Sequence, residues 1–308
     1  MSIRVSLGRS GLMVSPIALG NWQASPLWGE QPDEPLLAAV AAAFDAGINL
    51  FDTAPNYGDG RAEILLGKAL RELPRDEVVV ATKAYCLLRP DGKRVFDLSG
   101  PSVLRQCDAS LARLRVDYID LYQMHVFDPA ADPEETTAAL EALKTAGKIR
   151  AYGASNYTAD QLRMALTFGN YATLQPRYSL LDLEAEADLL PCALAARVGV
   201  LAYSPQAKGL LTGKYTGEES FTDSRKNAAR FQGETFRTLC AKVRGLQPIA
   251  DKYGLTIAQL VLAATLMHPA ITCAIAGAKI PEQIRESAGA MGHRLEKEDY
   301  EDIREALG

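Results

Sequence analysis

Four side chains able to hold or move a proton, Asp52, Tyr57, Lys83 and His125, lie at or just beyond the ends of short apolar runs in this 308-residue chain. Ile48-Asn49-Leu50-Phe51 leads into Asp52, residues 78–82 lead into Lys83, and residues 118–124 lead into His125. Tyr57 follows Asp52 in a loop that Pro55 and Gly58 enforce. A phenol is a weak acid, with a reference pKa of about 10. A nearby ammonium favours the phenolate and lowers that pKa, and a carboxylate keeps the ammonium charged and oriented. An imidazole can hydrogen-bond a substrate oxygen, so the four together make a proton donor for a carbonyl group. Each alone has a plain structural explanation: Asp52 as a turn cap, Tyr57 as loop packing, Lys83 as a rim charge paired with Asp52. Four such residues at successive strand ends are hard to explain that way.

The pattern around them predicts how they are positioned. Two short extended runs flank Gly8 to Gly11 and read as a β-hairpin. Apolar strand-like runs then recur at 16–20, 48–52, 78–83, 118–125, 149–153, 172–175, 200–204 and 272–277. Helical patterns separate them, at 33–46 (with Asp33 as its cap), 61–70, 101–114, 133–146, 158–168, 184–197, 235–252, 257–267 and 281–290. A polar stretch occupies 205–233, and a charged helix at 296–306 is polar enough to be solvated. Strands alternating with helices imply parallel pairing through crossovers, and eight such units are the size of a closed (β/α)8 barrel of the TIM type. No break in composition divides the chain, so residues 1–308 are expected to form one domain. An open doubly wound sheet would want a G-x-G-x-x-G turn after its first strand, and the chain has none. In a barrel the C-terminal strand ends form the catalytic rim, which brings the four residues to one mouth.

Composition narrows the function. Hydrophobic residues make up 48% and charged residues 23%, with 33 basic against 38 acidic side chains and a net charge of −5. No basic block offers itself to nucleic acid. The five cysteines form no C-x-x-C pair and read as reduced thiols. Three histidines without ligand spacing give no reason to expect a metal. The start of the chain has no apolar signal region, and the longest apolar run, 36–44, falls short of the roughly 20 residues that span a bilayer. A cytoplasmic protein without a membrane partner is the expectation.

The motifs resemble those of the aldo-keto reductase superfamily. Phe51-Asp52-Thr53-Ala54-Pro55-Asn56-Tyr57-Gly58, followed by Ala62-Glu63 and Leu66-Gly67-Lys68-Ala69-Leu70, is similar to its first signature. Val80 to Lys83, Asp120 to His125, Lys148 to Asn156, Gln175, Ala202 to Pro205 with Leu210 to Tyr215, and Gly277 to Glu286 follow in family order. The resemblance implies a (β/α)8 barrel whose bottom a hairpin closes. It implies that Tyr57 is the general acid, tuned by Lys83 and Asp52, with His125 orienting the carbonyl. Hydride would come from NADPH, with NADH admitted, bound without a dinucleotide fingerprint. Ser155, Asn156 and Gln175 match residues that hold the carboxamide, and Tyr203 matches the aromatic that stacks on the nicotinamide. Ser204, Gln206, Gly209 and Lys214 match the pyrophosphate segment, while Gly277, Lys279, Gln283 and Glu286 match the adenosine end.

Asp223-Ser224-Arg225 reads as a basic loop for a 2′-phosphate, so preference for NADP rests on Arg225 and Lys279. Gln206 and Lys208 stand where many relatives carry Leu and Gly, Gln283 replaces an arginine and Ser287 an asparagine. Trp22, Trp28, Asn56, Tyr85 and Phe127 follow strand ends and are candidates for the wall of a pocket for a small carbonyl compound or sugar. Gly209-Leu210-Leu211-Thr212-Gly213-Lys214 looks like a P-loop but is one residue short, and Tyr215 stands where Ser or Thr would bind magnesium. Two other functions are open. Lys83 as a Schiff-base lysine would make the barrel an aldolase. A non-catalytic, redox-sensing channel subunit is the other, and neither substrate nor oligomeric state is written in the sequence.

Overall fold

The computed structural model describes residues 3–88 and 94–308. A two-stranded antiparallel hairpin, β1 (Val5–Ser6) and β2 (Met13–Val14), opens the fold. Eight parallel strands close into a barrel in the order β3 (Ile17–Gly20), β4 (Leu50–Asp52), β5 (Val79–Ala84), β8 (Ile119–Met124), β9 (Ile149–Ser155), β10 (Thr173–Gln175), β11 (Gly199–Tyr203) and β12 (Ile271–Gly277). The barrel is therefore the one expected. Helices α1 (Asp33–Asp45), α2 (Arg61–Leu70), α3 (Gly100–Leu114), α4 (Pro133–Thr145), α5 (Ala159–Phe168), α6 (Leu189–Ala195), α9 (Ile257–Leu266) and α10 (Pro281–Ala288) connect or follow the strands.

Strand parity sorts the side chains. Successive residues of a strand point to opposite faces. Ile17, Leu19, Phe51, Val80, Tyr122, Tyr152, Leu174 and Val200 pack outward under the helices. Ala18, Leu50, Val79, Ala81, Leu121, Ala151, Leu201 and Cys273 fill the interior. Leu7, Leu12 and Val14 of the hairpin belong to that interior cluster. The hairpin is thus the barrel's floor, and Gly8 makes the fit possible. Its φ is +53°, and a Cβ there would lie 2.1 Å from the backbone nitrogen of Gly199 at the start of β11. Counting by twos from the interior residues, Asp52, Lys83, His125, Ser155, Gln175 and Tyr203 all continue the inward face, at the opposite end.

Several elements differ from expectation. Asp33 does not cap α1; Pro32 precedes the helix without a side-chain cap. Asp33 lies in the first turn and pairs with Arg61 at 2.6 Å. The helix expected at 184–197 is a 3₁₀ turn (Glu184–Glu186) and then α6, because Pro191 lacks an N–H and is tolerated only in a first turn. The helix expected at 235–252 splits into α7 (Gly233–Arg244) and α8 (Gln247–Lys252), with Pro248 in the first turn of the second. The terminal helix α11 (Lys297–Leu307) is not simply solvated. It buries Ile303 and Leu307 in a second core with α7, and Arg304 holds Glu186 at 2.6 and 2.8 Å.

A second hairpin, β6 (Cys86–Leu88) and β7 (Arg94–Phe96), was not expected from the apolar pattern. Gln106 of α3 clamps its base. The amide oxygen accepts from the Tyr85 N–H at 2.9 Å, and the amide nitrogen donates to the Asp97 carbonyl at 3.0 Å.

Candidate active site

The loop after β4 is held on both sides. Asn21 donates to the Asp52 carbonyl through its backbone N–H at 2.8 Å and its side chain at 3.0 Å. Arg61 at the head of α2 donates to the carbonyls of Ala24 and Gln31 at 2.8 and 2.6 Å, besides its pair with Asp33. Gly58 and Gly60 take φ values of +65° and +91°, turning the chain sharply enough to return Tyr57 over the barrel mouth.

Beneath Tyr57 lies a fully buried ion pair. The Lys83 ammonium donates to both Asp52 oxygens at 2.8 and 2.9 Å and to the Thr53 carbonyl at 2.9 Å. Gln175, from the far side of the barrel, donates to Asp52 Oδ2 at 2.8 Å. Lys83 Nζ is 5.5 Å from the Tyr57 ring centre, and the His125 ring lies 6.1 Å from Tyr57, nearly perpendicular. Tyr85 packs on His125 at 4.6 Å and is backed edge-on by Phe96 of the second hairpin at 5.2 Å. The four expected residues therefore meet at one place.

The electrostatics reverse one expectation. Lys83 was expected to lower the Tyr57 pKa, yet burial and then the charge of Asp52 push it well above the ordinary phenol value. Asp52 neutralises Lys83 locally, so the phenol meets an ion pair rather than a bare cation. His125 moves the other way: burial, then the Lys83 charge, hold its pKa well below the ordinary imidazole value. Its Nδ1 is buried without a partner among the described residues.

The residues expected at the nicotinamide end converge on the same mouth. Ser155 Oγ donates to the Gln175 carbonyl at 2.9 Å. Asn156, left-handed at φ +55°, donates to the His125 carbonyl at 3.0 Å and to Ser155 Oγ at 3.1 Å. The Tyr203 hydroxyl donates to Asn156 Oδ1 at 2.8 Å. Beyond β11 the chain turns through left-handed Ser204, Ala207, Lys208 and Gly209, with the Gln206 carbonyl accepting from the Gly209 and Leu211 N–H groups at 2.8 and 3.2 Å.

Basic side chains gather beyond this turn. Lys214 is held below the ordinary lysine value by burial and by the charges of Arg225 and Lys279. Burial also lowers Lys279; the Asp223 charge offsets part of this and Arg225 adds to it. Lys279 Nζ donates to the Trp28 carbonyl at 3.2 Å, and Trp28 lies between it and Arg225, at 5.4 and 5.2 Å from its ring centre. The Ser224 N–H donates to the Leu27 carbonyl at 2.9 Å, tying the 221–228 segment to the segment after β3.

Other expected residues have local partners of their own. Arg225 pairs with Asp223, donates to the Tyr215 hydroxyl and lies 4.2 Å over the Phe221 ring, so three of its five N–H donors already have partners. Gln283 accepts from the Lys279 N–H at 2.8 Å, a local turn contact. The Glu286 backbone carbonyl accepts from Gln259 at 3.0 Å, while the charge of its exposed side chain acts on Lys214. Phe127 packs edge-on to Tyr157 at 5.5 Å, lining a small hollow with Leu98 and Met164 rather than joining the four. Trp22 meets Trp28 edge-on at 5.2 Å and carries Lys208 5.6 Å over its ring. Gln23 had no signal in the sequence; its side chain lies so close to Gly277 that a Cβ on that glycine would sit 1.9 Å from Gln23 Nε2. Phe96 was also missed, although Pro90-Asp91-Gly92, outside the described residues, is a turn signal that could have found its hairpin.

A closed parallel barrel with a phenol, a buried lysine–carboxylate pair and an imidazole at its C-terminal mouth defines a carbonyl-processing class. The chain belongs to the Aldo/keto reductase family, whose model matches residues 16–307. It is accordingly an oxidoreductase of carbonyl and hydroxyl groups. It is 36% identical over 320 residues to the NADH-specific methylglyoxal reductase of Escherichia coli K12, covering 98% of this chain and 97% of that one. It superposes with a TM-score of 0.91 on a glycerol dehydrogenase from Gluconobacter oxydans, at 32% identity, covering 99% of this chain and 95% of that one. An aldo/keto reductase from Klebsiella pneumoniae in complex with NADP and acetate matches with a TM-score of 0.77 at 28% identity, covering 97% and 94%.

Proposed function

We propose that this chain reduces small aldehydes or ketones, or oxidises the corresponding alcohol or sugar in reverse, with NADPH as its main cofactor and NADH also accepted. The observation that carries this reading is the Asp52–Lys83–Gln175 grouping buried beneath Tyr57 and beside His125. The groove suits a dinucleotide. Buried polar atoms left without a partner among the described residues, Asn56 Oδ1, Gln23 Oε1, Trp28 Nε1 and Ser224 Oγ, lie on segments bordering it. Its crowded cations repel one another, which an anionic phosphate would relieve. Ser155, Asn156, Gln175 and Tyr203 would hold the nicotinamide end, Ser204 to Lys214 the pyrophosphate, and Lys279 the adenosine phosphate. When bound, the cofactor supplies the hydride.

The protein's own residues supply the proton. Tyr57, kept protonated by burial, donates to the carbonyl oxygen. His125, kept neutral, hydrogen-bonds the same oxygen without adding charge. Lys83 faces the phenolate that donation leaves, while Asp52 and Gln175 keep the ammonium in place. The Schiff-base alternative is disfavoured: all three Lys83 N–H donors are spent, and the side chain is fully buried. Tyr57→Phe is expected to lower turnover by at least about a hundredfold, while NADPH still quenches tryptophan fluorescence. Turnover near wild type in that variant would overturn the mechanism.

A further inference from the structure

We infer that the Tyr203 hydroxyl is a positioning group that orients the Asn156 amide so that Asn156 offers an acceptor, and not a donor, to the groove. The inference rests on the assignment of Asn156 and Tyr203 to the nicotinamide end.

The direction of every bond around Asn156 follows from what its neighbours can do. The His125 carbonyl, 3.0 Å away, can only accept, so the atom facing it must be Nδ2. Ser155 Oγ gives its one proton to the Gln175 carbonyl and is left as an acceptor for the second Nδ2 hydrogen at 3.1 Å. Both amide hydrogens are thereby consumed. Oδ1 is left facing the Tyr203 hydroxyl, which has a single proton to give and gives it here at 2.8 Å. An amide oxygen has two acceptor sites. One is filled by Tyr203; the other is the remaining hydrogen-bonding capacity of the side chain. Asn156 is exposed, so that capacity faces solvent or a bound group. The matching ligand chemistry is an N–H donor, as on the –NH₂ of a carboxamide.

The hydroxyl has more to hold than an ordinary surface asparagine would need. Asn156 stands in a left-handed backbone conformation at the end of β9 and is exposed. Without the Tyr203 proton, its Oδ1 would face water, and the side chain would be pinned from one end only. The bonds also form one continuous path: Tyr203 to Asn156, Asn156 to Ser155, Ser155 to the Gln175 backbone, and the Gln175 side chain to Asp52. The ring of Tyr203 and its hydroxyl thus have separable jobs, which phenylalanine divides.

The test is a fluorescence titration of Tyr203→Phe with NADPH and, in parallel, with 2′-phospho-ADP-ribose, which lacks the nicotinamide. Losing one neutral hydrogen bond should raise the NADPH dissociation constant about fivefold to tenfold and leave the fragment's unchanged. Asn156→Gly, which accepts the left-handed backbone without strain, removes the amide altogether. In that background Tyr203→Phe should have no further effect on NADPH. Unchanged NADPH affinity in Tyr203→Phe, equal weakening of the fragment, or the same weakening in the Asn156→Gly background would each overturn the inference. A wild-type protein that binds neither NADPH nor NADH would instead overturn the cofactor reading beneath it.

Discussion

Replacing Lys83 by methionine isolates the buried pair at the centre of the site. Methionine fills the space of the lysine stem but removes the ammonium. Asp52, whose side chain is only 5% exposed, then keeps one side-chain donor, Gln175 at 2.8 Å, of the two groups that now serve it. Breaking a buried ion pair from one side costs about 3–5 kcal/mol, because a charge is left without compensation. That is a large part of a typical total stability of about 5–15 kcal/mol. At about 2 °C per kcal/mol for a chain of this size, Lys83→Met should melt about 6–10 °C below wild type by circular dichroism. The double variant Asp52→Asn with Lys83→Met removes both charges and should recover part of the loss. The coupling between the two sites should be at least about 2 kcal/mol, within the range seen for residues in contact. A Lys83→Met protein melting within about 2 °C of wild type would refute the argument. Either the pair would not carry charge, or the cavity would be wetter than the distances imply.

Two further predictions concern catalysis and cofactor choice. Burial raises the Tyr57 pKa and lowers that of His125, so the donor stays protonated and the imidazole neutral. Carbonyl-reduction kcat/KM should therefore be flat between about pH 6 and pH 9, given ordinary values of about 6.5 and 10 for the two groups. An alkaline limb centred near about pH 8 that Tyr57→Phe changes would contradict the Tyr57 shift. Arg225 is partly held by Asp223 and Tyr215, so Lys279 is expected to carry the larger share of discrimination for the 2′-phosphate. Lys279→Met should weaken NADPH about tenfold more than NADH in the same titration, the value of one charge-assisted contact. Equal weakening of both would remove Lys279 from the phosphate site.

Much of the site was legible because strand chemistry is local. Apolar runs ending in Asp52, Lys83 and His125 mark strand ends, and a period of two sends alternate residues to one face. The same count carries Ser155, Gln175 and Tyr203 inward. The helix breaks at Pro191 and before Pro248 were legible in principle, since proline tolerates only the first turn. The second hairpin was harder, because strands of three residues have too few positions to display a period. Its clamp, Gln106, lies on a helix whose sequence says nothing of which chain ends it will meet.

Residue types and order alone dictated the barrel, the four side chains that meet at its mouth and the end of the barrel where they meet. Partnership was decided only by the folded structure. Gln175 reaches Asp52 across 123 residues of sequence. Arg225, read from the chain as a free phosphate ligand, is paired with Asp223 and stacked on Phe221. The direction of the Tyr57 shift also belongs to the fold. Sequence places a cation near the phenol, but only packing sets how much water is excluded and how closely Asp52 cancels Lys83. Hydrogen bonds and desolvation depend on distances of a few ångströms between segments far apart in the chain, and no local pattern encodes those distances.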